Sequence, residues 1–190
     1  MKPPADVRLL PKRELLDART MGRVIRRMAV ELVEKTGSLE QVILLGIRTR
    51  GLPLAERLAA EIEAAEGQRP PLGAVDITLY RDDLSVVGPQ PVVKGTELPG
   101  TIDDRIVILC DDVLYTGRTV RAALDELADY GRPRAVRLAV LVDRGHRELP
   151  IQADVVGRRV PTARRELVEV SFTETDDADG VRLLERQEEA

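Results

Sequence analysis

The chain has no tryptophan, one phenylalanine and three tyrosines, so aromatics make up only 2% of its 190 residues. That excludes a platform on which the bases of a single strand would stack. One histidine, His146, and one cysteine, Cys110, are too few for a structural zinc site and leave no internal disulfide. No apolar run approaches the length of a membrane-spanning helix. The opening Met-Lys-Pro-Pro-Ala-Asp-Val-Arg lacks the apolar centre of a signal peptide. A reducing cytoplasm, away from any membrane, is the expected location. The formal net charge of −4 gives no overall attraction to nucleic acid.

What is present is a hydrophobic content of 43%, enough for one domain with a sizeable core. No internal repeat or linker divides the chain. Charge, however, is unevenly placed. Residues 132–165 hold nine arginines against three acids, whereas residues 166–190 hold nine acids against two arginines. A basic block runs directly into an acidic tail.

The most informative stretch is 106–119. Ile106 to Cys110 form an unbroken apolar run, as in a strand buried on both faces. Cys110 in such a strand is a small core residue before it is a reactive thiol. Asp111 and Asp112 follow at once, then Thr116-Gly117-Arg118-Thr119, then a helical pattern with Val120, Leu124 and Leu127 on one stripe. Ligands of parallel sheets bind outside the carboxyl ends of strands, and a helix N-terminus there suits a phosphate. Two carboxylates would repel phosphate alone. They suit a ligand that also carries hydroxyls or a divalent cation, as a sugar phosphate does. An ordinary strand-to-helix turn with solvated aspartates is the plainer alternative.

A second strand is expected over Gln41–Ile47, ending in Arg48-Thr49-Arg50-Gly51. Gly46 and Gly51 mimic part of a nucleotide-binding P-loop, but Leu52 stands where its lysine belongs, which rejects that reading. The loop fits either an anion, through the arginine forks and the glycine backbone, or a solvated turn. Pro53 favours a helix start there, and Gly67 a stop.

The remaining pattern reads as follows. Residues 1–11 are an irregular lead-in. A helix spans about Glu14 to Lys35, with Met21, Ile25, Met28 and Leu32 inward and Arg23, Arg26 and Arg27 on the polar side. Val75, Ile77 and Leu79 alternate as a half-buried strand. Arg81 to Asp104 is long and rich in proline and glycine, a length found in functional or mobile loops. Ala135 to Val142 is an apolar strand, and short strands cover Val155–Val160 and Leu167–Val170. Val181–Arg186 is an edge strand.

The run Val107 to Thr119 resembles the phosphoribosyl-pyrophosphate motif of type I phosphoribosyltransferases. The resemblance implies that fold: α/β, a central, mostly parallel sheet flanked by helices, with a small hood and a long flexible loop. On 1–190 as one domain it places the core at about 14–145 and the hood at about 146–175, ahead of the acidic tail. It implies that Asp111 and Asp112 hold the ribose hydroxyls. It implies that Thr116, Gly117, Arg118 and Thr119, with Val113, Leu114 and Tyr115 leading in, wrap the 5-phosphate. Thr49, Arg50 and Gly51 match the family's pyrophosphate loop. Arg81 and Lys94, in the long loop, are candidates to reach the diphosphate, Arg81 being the better set. Mg²⁺ arrives on the substrate, near Asp111 and Asp112.

Two further blocks, Asp143-Arg-Gly-His-Arg-Glu-Leu-Pro-Ile and Asp76-Ile-Thr-Leu-Tyr-Arg-Asp-Asp-Leu, resemble the bifunctional pyrimidine operon attenuation regulators that are also uracil phosphoribosyltransferases. The resemblance runs from about Arg23 to Val170. It implies conversion of uracil and phosphoribosyl pyrophosphate to UMP and pyrophosphate, with the base held under a hood placed at Val156 to Val160. It also implies UMP-dependent binding of a leader messenger RNA stem-loop through Arg27, His146, Arg147 and Arg158, in a homodimer or homotetramer. The family's pattern is broken at Arg26, Val30 and Gln152, so a uracil phosphoribosyltransferase without RNA regulation stands as the alternative. A lone histidine such as His146 also serves ordinary structural roles.

Overall fold

The computed structural model describes residues 8–78 and 95–187. Its centre is a five-stranded sheet in the order β3-β2-β4-β5-β6, every neighbouring pair parallel. The strands are β2 (Val42–Ile47), β3 (Leu72–Val75), β4 (Ile106–Leu114), β5 (Ala135–Asp143) and β6 (Val155–Arg159). All six residues of β2 are buried, because helices cover both faces of a parallel sheet. Alternate strand residues therefore enter two cores. Leu44, Ile108, Cys110 and Leu141 pack with α1 (Ala18–Thr36) and α2 (Gly51–Glu66). Leu45, Val107, Leu109 and Val140 pack with α3 (Arg118–Ala128) on the other side.

The helix α1 starts later than its apolar spacing predicts. Asp17 caps it, accepting from Thr20 N at 2.6 Å, a contact of the kind worth about 1 kcal/mol. Glu14 to Leu16 belong instead to β1 (Arg8–Leu16), so the expected irregular lead-in is also a strand. Strand β1 pairs antiparallel with β8 (Gly180–Gln187), which pairs with β7 (Glu166–Ser171), giving a second sheet in the order β1-β8-β7. Pro11 is tolerated because β1 is an edge with irregular register beside it. Strand β8, expected at an edge, lies in the middle.

The segment expected as a hood contributes one strand to each sheet. β6 pairs in parallel with β5, Val140 opposite Val156 and Asp143 opposite Arg159. It is the fifth strand of the core sheet, whereas β7 belongs to the second sheet. The strand expected to reach Leu79 closes at Val75. Arg81 and Lys94 lie outside the described residues.

Candidate active site

Strands β2 and β4 are neighbours, with Gly46 opposite Cys110. Their carboxyl ends therefore deliver the 48–51 loop and the acidic pair to one edge. The contact is close. A Cβ on Gly51 would overlap the Cys110 carbonyl, and one on Gly46 would overlap Leu52. Glycine at both places lets the loop lie directly against the motif strand. The peptide between Arg48 and Thr49 is cis. Arg48 Nη2 meets Glu97 Oε1 at 2.8 Å and its Nε meets Gly95 O at 3.2 Å. Arg50 sits at the N-cap of α2 and turns towards the second sheet, where Nη2 and Nε donate to Asp176 Oδ1 and Oδ2 at 2.8 and 3.3 Å.

Asp111 and Asp112 are consecutive at the carboxyl end of β4, and their carboxyls lie close enough to influence one another. Asp111 is buried, 6% exposed, and accepts from Asp112 N at 3.0 Å. Burial, reinforced by the charge of Asp112, holds its carboxyl well above the usual carboxylate range. Burial also raises Asp112; hydrogen bonds and the Arg50 charge oppose that. The pair resists carrying two charges until a cation or hydroxyl donors arrive. Beneath them Cys110 is fully buried, which pushes its thiol up and makes it a core residue.

Beyond Leu114 the chain turns through Tyr115 and Thr116 to Gly117, whose φ of 95° opens α3. The amides of a helix's first turn lack intrahelical acceptors, and Gly117 has no side chain to cap them. Thr116 Oγ1 accepts from Arg118 N at a long 3.4 Å, and the amides and hydroxyls of Thr116 to Thr119 together make a cradle that suits an oxyanion. The far wall is the segment after β5. Glu148 N and Leu149 N donate to Thr116 O at 3.0 and 3.2 Å. Arg118 Nε meets Glu148 Oε2 at 2.8 Å.

The four residues expected to meet RNA all make contacts within the chain. Arg147 donates to Tyr115 O (2.7 Å), Ile151 O (3.0 Å), Gly145 O (3.1 Å) and Leu114 O (3.5 Å), and pairs with Asp143 at 2.5 Å. It clamps the cradle from behind. His146 Nε2 lies 2.6 Å from Thr162 O, and its ring meets Tyr115 edge-on at 5.8 Å. Arg27 reaches from α1 to Val156 O at 3.0 Å and Gly157 O at 2.5 Å. Arg158 donates to Leu15 O at 2.6 Å. Arg27 and Arg158 therefore lie together where α1 crosses β6, while His146 and Arg147 belong to the cradle wall.

The two valines expected over the base do not face each other. Val156 packs into the α3 side of the core and Val160 into the other. Val160 does line a cavity of about 280 Å³ with Asp143, Arg144, Gly145, Arg159 and Pro161, at the carboxyl ends of β5 and β6. Two residues of the site escaped sequence reasoning. Arg144, 6% exposed, stacks on Tyr115 with 4.0 Å to the ring centroid and donates to Glu166 O at 2.6 Å and Ala163 O at 3.2 Å. It joins the cradle to the second sheet. Asp176, in the acidic tail, meets Arg50. Their separation of 126 residues leaves no local signal; for Arg144, only the buried-looking neighbourhood of an apolar strand end hinted at a role.

The family model described as the phosphoribosyl transferase domain matches residues 12–171. A bifunctional protein PyrR of Deinococcus radiodurans is 53% identical over 178 residues, covering 94% of this chain and 97% of its own. One from Chloroflexus aurantiacus is 56% identical over 173 residues, covering 91% and 95%. Among solved structures, a hypoxanthine phosphoribosyltransferase from Trypanosoma cruzi is similar with a TM-score of 0.72 at 16% identity, covering 92% of this chain and 95% of its own. A hypoxanthine-guanine phosphoribosyltransferase from Bacillus anthracis scores 0.69 at 15% identity, covering 93% and 99%. At that identity the likeness is one of fold: a type I phosphoribosyltransferase fold.

Proposed function

The chain belongs to the phosphoribosyl transferase family and, within it, to the bifunctional PyrR proteins; from that premise we propose that it joins uracil to phosphoribosyl pyrophosphate, giving UMP and pyrophosphate, and that UMP then promotes its binding to a leader messenger RNA stem-loop. The observation that carries the transferase half is the joining of two loops on adjacent strands. The Thr49-Arg50-Gly51 loop of β2 lies against the acid pair of β4, and the cradle begins at Thr116, four residues beyond Asp112. A sugar carrying a phosphate at one end and a diphosphate at the other fits that spacing of groups. The cavity at Val160 lies beyond the third neighbouring strand, β5, where backbone groups can read a small base.

In this reading Thr116, Gly117, Arg118 and Thr119 bind the 5-phosphate. Asp111 and Asp112 hold the ribose hydroxyls, and Arg50 faces the diphosphate. Bond breaking at the sugar's C1 passes through an oxocarbenium-like state, which needs positioning and charge stabilisation more than a strong base. No group of three or more His, Cys, Asp or Glu able to hold a metal occurs among the described residues. A site of one or two carboxylates completed by substrate phosphates is how Mg²⁺ is ordinarily bound, and Asp111 and Asp112 fit it. When bound, that ion neutralises the leaving diphosphate.

The regulatory half rests on the relatives' name and on the exposed arginines Arg27 of α1 and Arg158 of β6, with His146 and Arg147 at the cradle wall. Homodimers or homotetramers would extend that face across subunits, which light scattering tests. No helix among the described residues is long and apolar enough to cross a membrane, which accords with a cytoplasmic role. The deciding assay is pyrophosphate release with uracil, hypoxanthine and orotate side by side. Release with uracil is expected; release with another base alone would replace the substrate. Filter binding of the leader RNA with and without UMP, at two salt concentrations, tests regulation. Binding that is neither UMP-enhanced nor salt-sensitive would leave a uracil phosphoribosyltransferase only.

A further inference from the structure

The guanidinium of the pyrophosphate loop has an internal partner that the reaction scheme leaves unused. Asp176 takes the Nε–Nη2 edge of Arg50 at 3.3 and 2.8 Å. Nη1, the opposite corner, makes no hydrogen bond among the described residues. The carboxylate is itself held firmly. Asp176 Oδ2 also accepts from Phe172 N at 3.0 Å and Thr175 Oγ1 at 2.9 Å. The turn closes through Thr175 N and Asp176 N onto Phe172 O at 3.0 and 2.6 Å.

The whole turn is braced to α2 a second time. Arg57, about two helical turns beyond Arg50, pairs with Glu174 and Asp179, both at 2.6 Å, and lies 5.0 Å from the Phe172 ring centroid. A segment tied down this thoroughly is a fixed wall. The other acids whose charge reaches Arg50 are Asp112, assigned to the ribose, and Glu169.

We propose that Asp176 is a positioning residue of the pyrophosphate loop: it holds the Nε–Nη2 edge of Arg50 and leaves Nη1 turned to the diphosphate of the phosphoribosyl donor. The inference rests on the transferase reading of the loop. A carboxylate beside a diphosphate works against binding by its charge. It is useful only because a bidentate pair fixes the plane of the fork and a misplaced catalytic contact is costly. It also makes the second sheet, built from both ends of the chain, part of the active site.

The test uses the full-length protein and the variants Asp176→Asn, Asp176→Ala and Asp179→Asn. Asp179 braces the same turn, through Arg57 and Thr173 N, without touching Arg50. For the Asp176 variants, kcat/KM for phosphoribosyl pyrophosphate falls about ten- to a hundredfold while KM for uracil stays within about twofold. Calorimetric affinity for inorganic pyrophosphate falls with it. Asp179→Asn lowers thermal stability but keeps its kcat. Two outcomes overturn the proposal. If Asp176→Asn binds phosphoribosyl pyrophosphate more tightly or turns over faster, the carboxylate competes with the diphosphate. If Asp176 and Asp179 variants lose activity equally, Asp176 is only a tie in the turn. Wild-type protein that binds no phosphoribosyl pyrophosphate would instead overturn the transferase reading, a result visible before any variant is made.

Discussion

Arg147→Ala separates two roles that one arginine can have. As an RNA contact, its loss would weaken RNA binding and leave the enzyme intact. The geometry gives it a second role inside the chain. Arg147 donates to four carbonyls, two of them on the strand end and turn that lead into the phosphate cradle, and pairs with Asp143 at 2.5 Å. Its side chain is 21% exposed and that of Asp143 15%, so solvent screens the pair only in part. Hydrogen bonds to a charged donor contribute about 1.5–3 kcal/mol each, but water can replace some of them here, so a net loss of about 2–4 kcal/mol is expected. For a chain of this length that lowers Tm by roughly 5–15 °C. The cradle then loses its backing, and KM for phosphoribosyl pyrophosphate rises by about tenfold or more. Calorimetric melting and initial-rate kinetics read both quantities. A variant with normal Tm and normal KM that has lost RNA binding would refute the clamp.

Three further outcomes follow from the site. Arg50→Ala should cut turnover by about a hundredfold or more with Tm within about 2 °C of wild type, because the Arg50 side chain is 41% exposed and a half-screened pair stabilises little; steady-state rates beside melting curves decide it. Asp111→Asn should lower activity but raise Tm at neutral pH. A carboxyl whose folded pKa lies above its ordinary 3.8 costs stability as pH rises from that value through the raised one, so the gain over wild type should shrink towards about pH 4 and melting at several pH values measures it. Gly51→Ala should drive a methyl into the Cys110 carbonyl, cost about 1–3 kcal/mol, and weaken phosphoribosyl pyrophosphate binding by parting the two loops, as chemical denaturation and calorimetry would show.

The parallel sheet was legible because burial on both faces writes itself as continuous apolar runs, Val42–Ile47 and Ile106–Cys110 being the plainest. The helices were legible from their spacing. The second sheet was not. Strand β1 reads as lead-in up to Pro11 and as the start of a helix from Glu14, because an edge strand with irregular register needs no strict alternation. Its partner β8 reads as an edge because it is charged at Arg182, Glu185 and Arg186, yet it lies between two strands. Pairing between the first and last thirty residues of a chain leaves no trace in either segment alone. Nor does a short strand such as Val155–Arg159, with two valines and two arginines, announce which sheet it joins.

The site divides along the same line, and the arginines show why. Thr49 to Gly51, Asp111, Asp112 and Thr116 to Thr119 carry their chemistry in local sequence, because a phosphate loop is made of consecutive amides and hydroxyls. What an arginine does is set by which acceptors surround its fork. Arg147 faces carbonyls from Leu114, Tyr115, Gly145 and Ile151; Arg27 faces those of Val156 and Gly157; Arg50 faces Asp176. None of those acceptors has a side-chain signature at a readable spacing, and most are backbone. A basic block in sequence therefore overstates the free positive surface. Between residues 132 and 165, Arg144 ties the cradle to the second sheet, Arg147 holds the cradle from behind, Arg137 pairs with Asp154 and Arg165 with Glu185, and the electrostatic pull left for an RNA backbone is set by the arginines beyond these.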